Sequence, residues 1–228
     1  MVAGGLTTTA TGAIIADTPG LNGIDDRFEA RIRLDQGNSR TWKSAYWEDS
    51  TLIKTSGNFS NPDVWNDAQT YDFTFSYTAS TGAASLVVEG LKLGSTIGDL
   101  TLTETINLTP GEDFAGFRLL ARSNNDGSVT TFADLQASLD GGTAQSVPTL
   151  VSGAGQSFVE PSVWYYFDEA VDNLTITGTV NFDWADGSNL NNERFKVGIK
   201  VLEGDLVPAP GAFALAGMAG LVGIRRRR

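Results

Sequence analysis

Tyr71-Asp72-Phe73-Thr74-Phe75-Ser76-Tyr77-Thr78-Ala79-Ser80-Thr81-Gly82-Ala83-Ala84-Ser85-Leu86-Val87-Val88-Glu89-Gly90 is the stretch that decides the fold. Tyr71, Phe73, Phe75 and Tyr77 recur at every second position, with Asp72, Thr74, Ser76 and Thr78 between them. Successive side chains of a strand point to opposite faces, so this alternation puts four aromatic rings in a core and four polar groups in water. Ser80-Thr81-Gly82 then predicts a turn, and Ala84 to Glu89 a returning strand.

The same period recurs along the chain. Phe28, Ala30, Ile32 and Leu34 oppose Glu29, Arg31, Arg33 and Asp35. Leu174, Ile176, Val180, Phe182 and Trp184 alternate with Thr175, Thr177, Thr179, Asn181 and Asp183. Phe195, Val197, Ile199 and Val201 alternate with Arg194, Lys196 and Lys200. Phe117 to Ala121 adds a strand. Asn124-Asn125-Asp126-Gly127 is expected to close a hairpin between Phe117–Arg122 and Val129–Ala133, because Asp-Gly is a strong hairpin dipeptide. Asp140-Gly141-Gly142 and Asp186-Gly187 mark further turns. No helical period persists before Gly211. The expectation is an all-β, antiparallel two-sheet sandwich or jelly roll, burying Phe28, Ile32, Phe73, Phe75, Leu86, Ile176, Phe182, Phe195, Val197 and Ile199.

Composition narrows the chemistry. The chain has 228 residues and a formal net charge of −11. Its 16 Lys and Arg less Arg225, Arg226, Arg227 and Arg228 leave 12 against 27 Asp and Glu, a body near −15. An acidic body disfavours nucleic acid as a partner. There is no Cys and no His. That excludes disulfides, Ser-His-Asp and Cys-His catalysis, and the usual zinc ligand sets. Jelly-roll glucanases commonly carry a Glu-x-Asp-x-Glu strand, and none occurs here. The reading is therefore non-enzymatic, with no catalytic residue assigned. A hydrolase with an unrecognised carboxylate pair is the weakest alternative.

The C-terminus has a different character. Val207-Pro208-Ala209-Pro210-Gly211 precedes an apolar run from Ala212 to Ile224, and Arg225–Arg228 end the chain. The prolines break any regular element, the run is expected to be helical outside the sandwich, and the arginines would stay on the cytoplasmic side of a membrane. These residues, in this order, resemble the PEP-CTERM sorting signal of bacteria that carry an exosortase, with Ala209 where most members have Glu. The resemblance implies transient anchoring in the inner membrane by this helix and cutting near the motif by an exosortase-type membrane protease. It implies a mature protein in the envelope or extracellular matrix. An ordinary transmembrane helix and a packed core helix are the alternatives. The run is short for the first, since spanning takes roughly 20 residues. Four successive arginines suit the second poorly. Ala212, Ala216 and Gly220 form a small-residue row that would permit close helix packing, or simply reflect Ala/Gly-rich composition.

Residues 1–20 are expected to be a truncated or degenerate export signal, since Met1 to Ala16 has no Lys or Arg and Thr7, Thr8, Thr9 and Thr11 interrupt any apolar stretch. Residues 21–206 are the expected sandwich domain and 207–228 the sorting tail. The stretch Tyr71 to Gly90 also resembles a hairpin of the "choice-of-anchor" domains of exported bacterial proteins, which implies a sandwich with no assigned biochemistry.

Two weaker sites remain. Asp183, Asp186, Asn189 and Asn191, with Asn192 and Glu193, supply oxygens of the kind calcium takes, although the spacing does not fit an EF-hand. The alternative is a solvated turn, since Asp, Asn and Gly are turn residues. Asn124, Asn125 and Asp126, and Asp17, Asn22, Asp25 and Asp26, are read the same way. Trp42, Trp47 and Trp65 lie in a loop-rich stretch from Asn38 to Asn66, and Trp164 stands beside Tyr165, Tyr166 and Phe167. Exposed rings there could stack on the sugars of an extracellular polysaccharide; the alternative is burial between sheets. Hence the second functional class, a carbohydrate-binding or calcium-dependent adhesive module.

Overall fold

The computed structural model describes residues 14–17, 25–35, 41–48, 51–58, 64–93, 96–111, 114–123, 127–153, 162–185 and 195–203. In chain order these form β1 (Ile14–Asp17), β2 (Asp25–Asp35), β3 (Thr41–Glu48), β4 (Thr51–Asn58), β5 (Thr70–Thr78), β6 (Ala83–Leu93) and β7 (Thr96–Asn107). They continue with β8 (Phe114–Arg122), β9 (Val129–Leu139), β10 (Gln145–Val147), β11 (Leu150–Ser152), β12 (Ser162–Val171), β13 (Asn173–Asp183) and β14 (Phe195–Glu203). The first sheet runs β1-β12-β8-β14-β2-β3-β4. The second runs β10-β9-β13-β5-β6-β7, with β11 also paired to β9. The pairings are antiparallel.

The two sheets face each other in a sandwich-like arrangement. Phe28 of the first sheet stacks on Phe75 of the second, and Tyr77 packs on Phe114 in the same sense. Phe182 and Phe195 meet edge to face at 6.3 Å. The expected inward rows hold. Tyr71, Phe73, Phe75 and Tyr77 are buried, as are Ile32, Leu86, Ile176, Val197 and Ile199. Each fully buried ring or branched chain contributes about 1.5–3 kcal/mol relative to exposure.

The β5–β6 hairpin forms as the sequence predicts, with Phe75 opposite Leu86 and Phe73 opposite Val88. Gly82 turns it at φ +68°, and an added Cβ would lie 2.2 Å from the Leu108 carbonyl oxygen. Only glycine meets both conditions there. Asp140-Gly141-Gly142 likewise turns β9 into β10.

Two expectations are corrected, and a third segment is placed. Phe117–Arg122 and Val129–Ala133 do not pair as a hairpin. β8 lies between β12 and β14 in the first sheet, and β9 beside β13 in the second. Both strands carry large apolar residues on one face, and crossing between sheets lets both faces meet the same core. Thr130 fixes the crossing by donating its hydroxyl to the Arg122 carbonyl at 2.7 Å. The stretch Asn38 to Asn66 is not loop-rich, since β3 and β4 occupy much of it. Ile14–Asp17, read as part of a leading segment, is an edge strand on β12, and its Ile14 N–H donates to Gln145 of the second sheet. The expected C-terminal helix lies outside the described residues.

Candidate functional site

The outward face of the second sheet is built from the polar half of each alternating strand. Register sets its pattern. Thr105, Ser85, Ser76, Thr175 and Ser138 are partners in sequence across β7, β6, β5, β13 and β9. The adjacent row reads Thr103, Val87, Thr74, Thr177 and Gln136. Strands lie about 4.8 Å apart and same-face neighbours about 6.8 Å apart, so the hydroxyls form a regular two-dimensional array. Ser76, Ser85, Thr74, Thr175 and Thr177 make no side-chain hydrogen bond among the described residues.

A groove of about 280 Å³ opens at one end of this array, lined by Asp72, Thr74, Asp134, Thr177 and Thr179, with Phe73 and Gly178 also in its wall. Its cause is local. Between Thr177 and Thr179 the β13–β9 register shifts, and β9 carries one residue more than β13. Such a bulge bends the strand and re-aims a side chain. The bulge residue Asp134 sits at φ +52° and is exposed. Asp tolerates that region better than most residues, though at a cost. The Thr179 hydroxyl donates to the Ala133 carbonyl at 3.3 Å and reaches the Asp134 carboxylate at 3.4 Å. On the inner side, Gly178 faces Phe73, and an added Cβ would lie 2.7 Å from Leu135 and 2.8 Å from the Ala133 carbonyl oxygen. The missing side chain lets Phe73 and Phe132, on strands flanking β13, bring their rings to 4.9 Å.

Charge separates the two sheets. The strands of the second carry Asp72, Glu89, Asp99, Glu104, Asp134 and Asp183 against Lys92 alone. The strands of the first balance nine acidic residues with nine basic ones, including Arg31, Arg118 and Lys200. There Glu29, only 5% exposed, pairs with both Arg31 and Lys200. Asp72 instead stands directly opposite Glu89.

Trp65 is fully buried, packed edge to face on Tyr71 and Phe182, so it is unavailable to a sugar. Its ring fills the end of the core where β5 begins. Trp164 is half-buried, with the Arg118 guanidinium 4.6 Å from its ring centroid. Trp42 and Trp47 belong to β3, opposite Leu34 and Glu29 of β2, and their side chains lie outside the described part. Trp184 packs at the margin of the core. Asp183 is exposed at the end of β13. Asp186, Asn189, Asn191, Asn192 and Glu193 lie outside the described residues, as do Asn124, Asn125, Asp126 and Asn22. The sorting residues Val207, Pro208, Ala209, Pro210, Gly211 and Arg225–Arg228 do so too. Asp17, Asp25 and Asp26 are placed on β1 and β2 by backbone alone. Among the described residues, no group of three or more acidic side chains is placed to hold a metal ion, and no helix is long and apolar enough to cross a membrane.

Fold and face together define an all-β, two-sheet protein with a hydroxyl-rich, acidic outer surface. No known family model matches the chain, and no curated protein matches it either.

Proposed function

We propose that this is a non-enzymatic, exported protein of the envelope or extracellular matrix, with a sandwich or jelly-roll body and a tail sorted by an exosortase-like system. The observation that carries the reading is the order Pro208-Ala209-Pro210-Gly211, apolar run, Arg225–Arg228. Absence of His and Cys from the whole chain supports the non-enzymatic part. An antiparallel body is compatible with export, since a chain without Cys pairs its strands without disulfides. In this reading residues 212–224 form a helix that enters the bilayer, and the protease releases the body on its outer side.

The test is an epitope placed after Arg228, in an exosortase-bearing bacterium, behind a secretory signal peptide. The body is expected outside the inner membrane without the epitope. Replacing Pro208 and Pro210 by Ala should leave the epitope attached and the protein membrane-bound. An epitope retained equally in both proteins counts against the sorting reading.

A carbohydrate-binding module is the second reading. The array of Thr and Ser hydroxyls on the second sheet favours it, whereas Trp65 is buried and does not.

A further inference from the structure

We infer that the outward face of the second sheet, centred on the groove between Asp72 and Asp134, binds a polysaccharide whose sugars carry protonated amines. This rests on the carbohydrate-binding reading and names its sugar chemistry; it stands whether or not the tail is processed.

Three observations point to that occupant. The first is charge complementarity. Asp72 and Glu89 are directly opposite on neighbouring strands, and Asp134 lines the same groove as Asp72. Like charges so placed are unfavourable in a sheet. The strands of this sheet offer one lysine in compensation, Lys92, while the basic residues are concentrated on the other sheet. A ligand ammonium in the groove, beside Asp72 and facing Asp134, offsets the charge that Asp72 shares with Glu89.

The second is the hydroxyl array. Thr74 and Thr177 line the groove, and the rows through Ser76 and Thr175 continue from it across five strands. Each hydroxyl both donates and accepts. A sugar ring presents the same chemistry around its rim, and an extended chain of rings can follow a flat array from one unit to the next.

The third decides against a basic peptide. Peptides and proteins anchor through apolar or aromatic groups seated in desolvated pockets. Carboxylates and threonines line the groove together with Gly178 and Phe73, and Phe73 is only 2% exposed, so its ring offers a peptide no open apolar pocket. An amine-bearing sugar needs no apolar pocket.

The test is isothermal titration of the full chain with a β-1,4-linked glucosamine oligomer and with its fully N-acetylated counterpart, at mildly acidic pH and two salt concentrations. The free-amine oligomer is expected to bind, more weakly at high salt, because exposed charge pairs are screened. The N-acetylated oligomer should bind far less. Asp72→Asn with Asp134→Asn should weaken binding roughly tenfold, the combined worth of two exposed ion pairs. Thr74→Val with Thr177→Val should weaken it while leaving the salt dependence in place. Leu52→Ser, on the edge strand of the other sheet, should leave it unchanged. Equal binding of both oligomers overturns the charge argument and makes the face a reader of neutral sugar. A melting temperature raised by calcium alone, and lost in the Asp72/Asp134 double variant, assigns the groove to a metal instead. No binding by a chain whose melting curve shows it folded overturns the inference outright.

Discussion

Phe28 and Tyr77 stack across the interior, with ring centroids 5.9 Å apart and planes inclined by 17°. One belongs to β2 of the first sheet, the other to β5 of the second. Phe28 also lies against Tyr46 and Phe75, so one side chain ties both sheets together.

Phe28→Ala should therefore cost about 3–5 kcal/mol, the range for removing a buried ring without collapse of the space left behind. Leu52→Ala, at a side chain 54% exposed, should stay within about 0.5 kcal/mol of the parent. Denaturant midpoints measured side by side check both.

Gly178→Ala should destabilise by about 1–3 kcal/mol, since the new methyl meets a backbone carbonyl as well as Leu135 and Phe73. Leu135→Ala alone removes a buried side chain and is costly, but Gly178→Ala with Leu135→Ala should cost less than the two single changes added together, because one of the obstacles is gone. A strictly additive cycle would point to the Ala133 carbonyl as the dominant clash.

Alkaline stability should follow Tyr165. Burial pushes its phenol up to about 12 from an ordinary 10, and burial also raises Tyr71, partly offset by the Asn66 N–H that donates to its oxygen. A raised folded value means the contribution is complete below pH 10 and is lost as pH climbs from 10 through 12. Unfolding free energy should fall across that window. Tyr165→Phe should flatten the fall. At neutral pH that variant should be neutral or stabilising, because the Tyr165 hydroxyl is buried and makes no hydrogen bond among the described residues.

Asp140→Ala should cost about 1–2 kcal/mol. Its carboxylate accepts the Asn173 backbone N–H at 2.7 Å and the Asn173 amide at 3.0 Å, and Asp172 in turn accepts from Ser80. These contacts join three turns at one end of the molecule. Thermal melting checks the loss.

Melting should be the same in calcium and in chelator, as expected of a solvated Asp183–Glu193 turn. A calcium-dependent rise that Asp186→Ala abolishes would instead give that turn a bound ion.

The inward rows were legible because each is written locally. Tyr71, Phe73, Phe75 and Tyr77 alternate within one strand, and no distant residue is needed to see it. β3 and β4 were not, because Lys43, Ser44, Lys54 and Ser56 break the alternation and their pairing is set by β2. The Asp126-Gly127 rule failed for a related reason. A turn dipeptide states that the chain reverses, not which sheet receives it. Trp65 reads as a loop aromatic until Tyr71 and Phe182 are seen around it. The hydroxyl array was invisible for the same cause. Ser76, Ser85, Thr105, Ser138 and Thr175 are separated along the chain and meet only through register.

The place of β14 has a consequence for how the chain is made. This last of the described strands inserts between β8 and β2, in the middle of the first sheet. Until it arrives, β8 and β2 present open edges to each other with nothing to join them. A nascent chain emerging from the ribosome can close the β5–β6 hairpin but cannot complete that sheet. Such long-range pairing folds slowly. The first sheet, and with it the burial of Phe195, Val197, Ile199 and Val201, is therefore completed only after all the other described strands have been made.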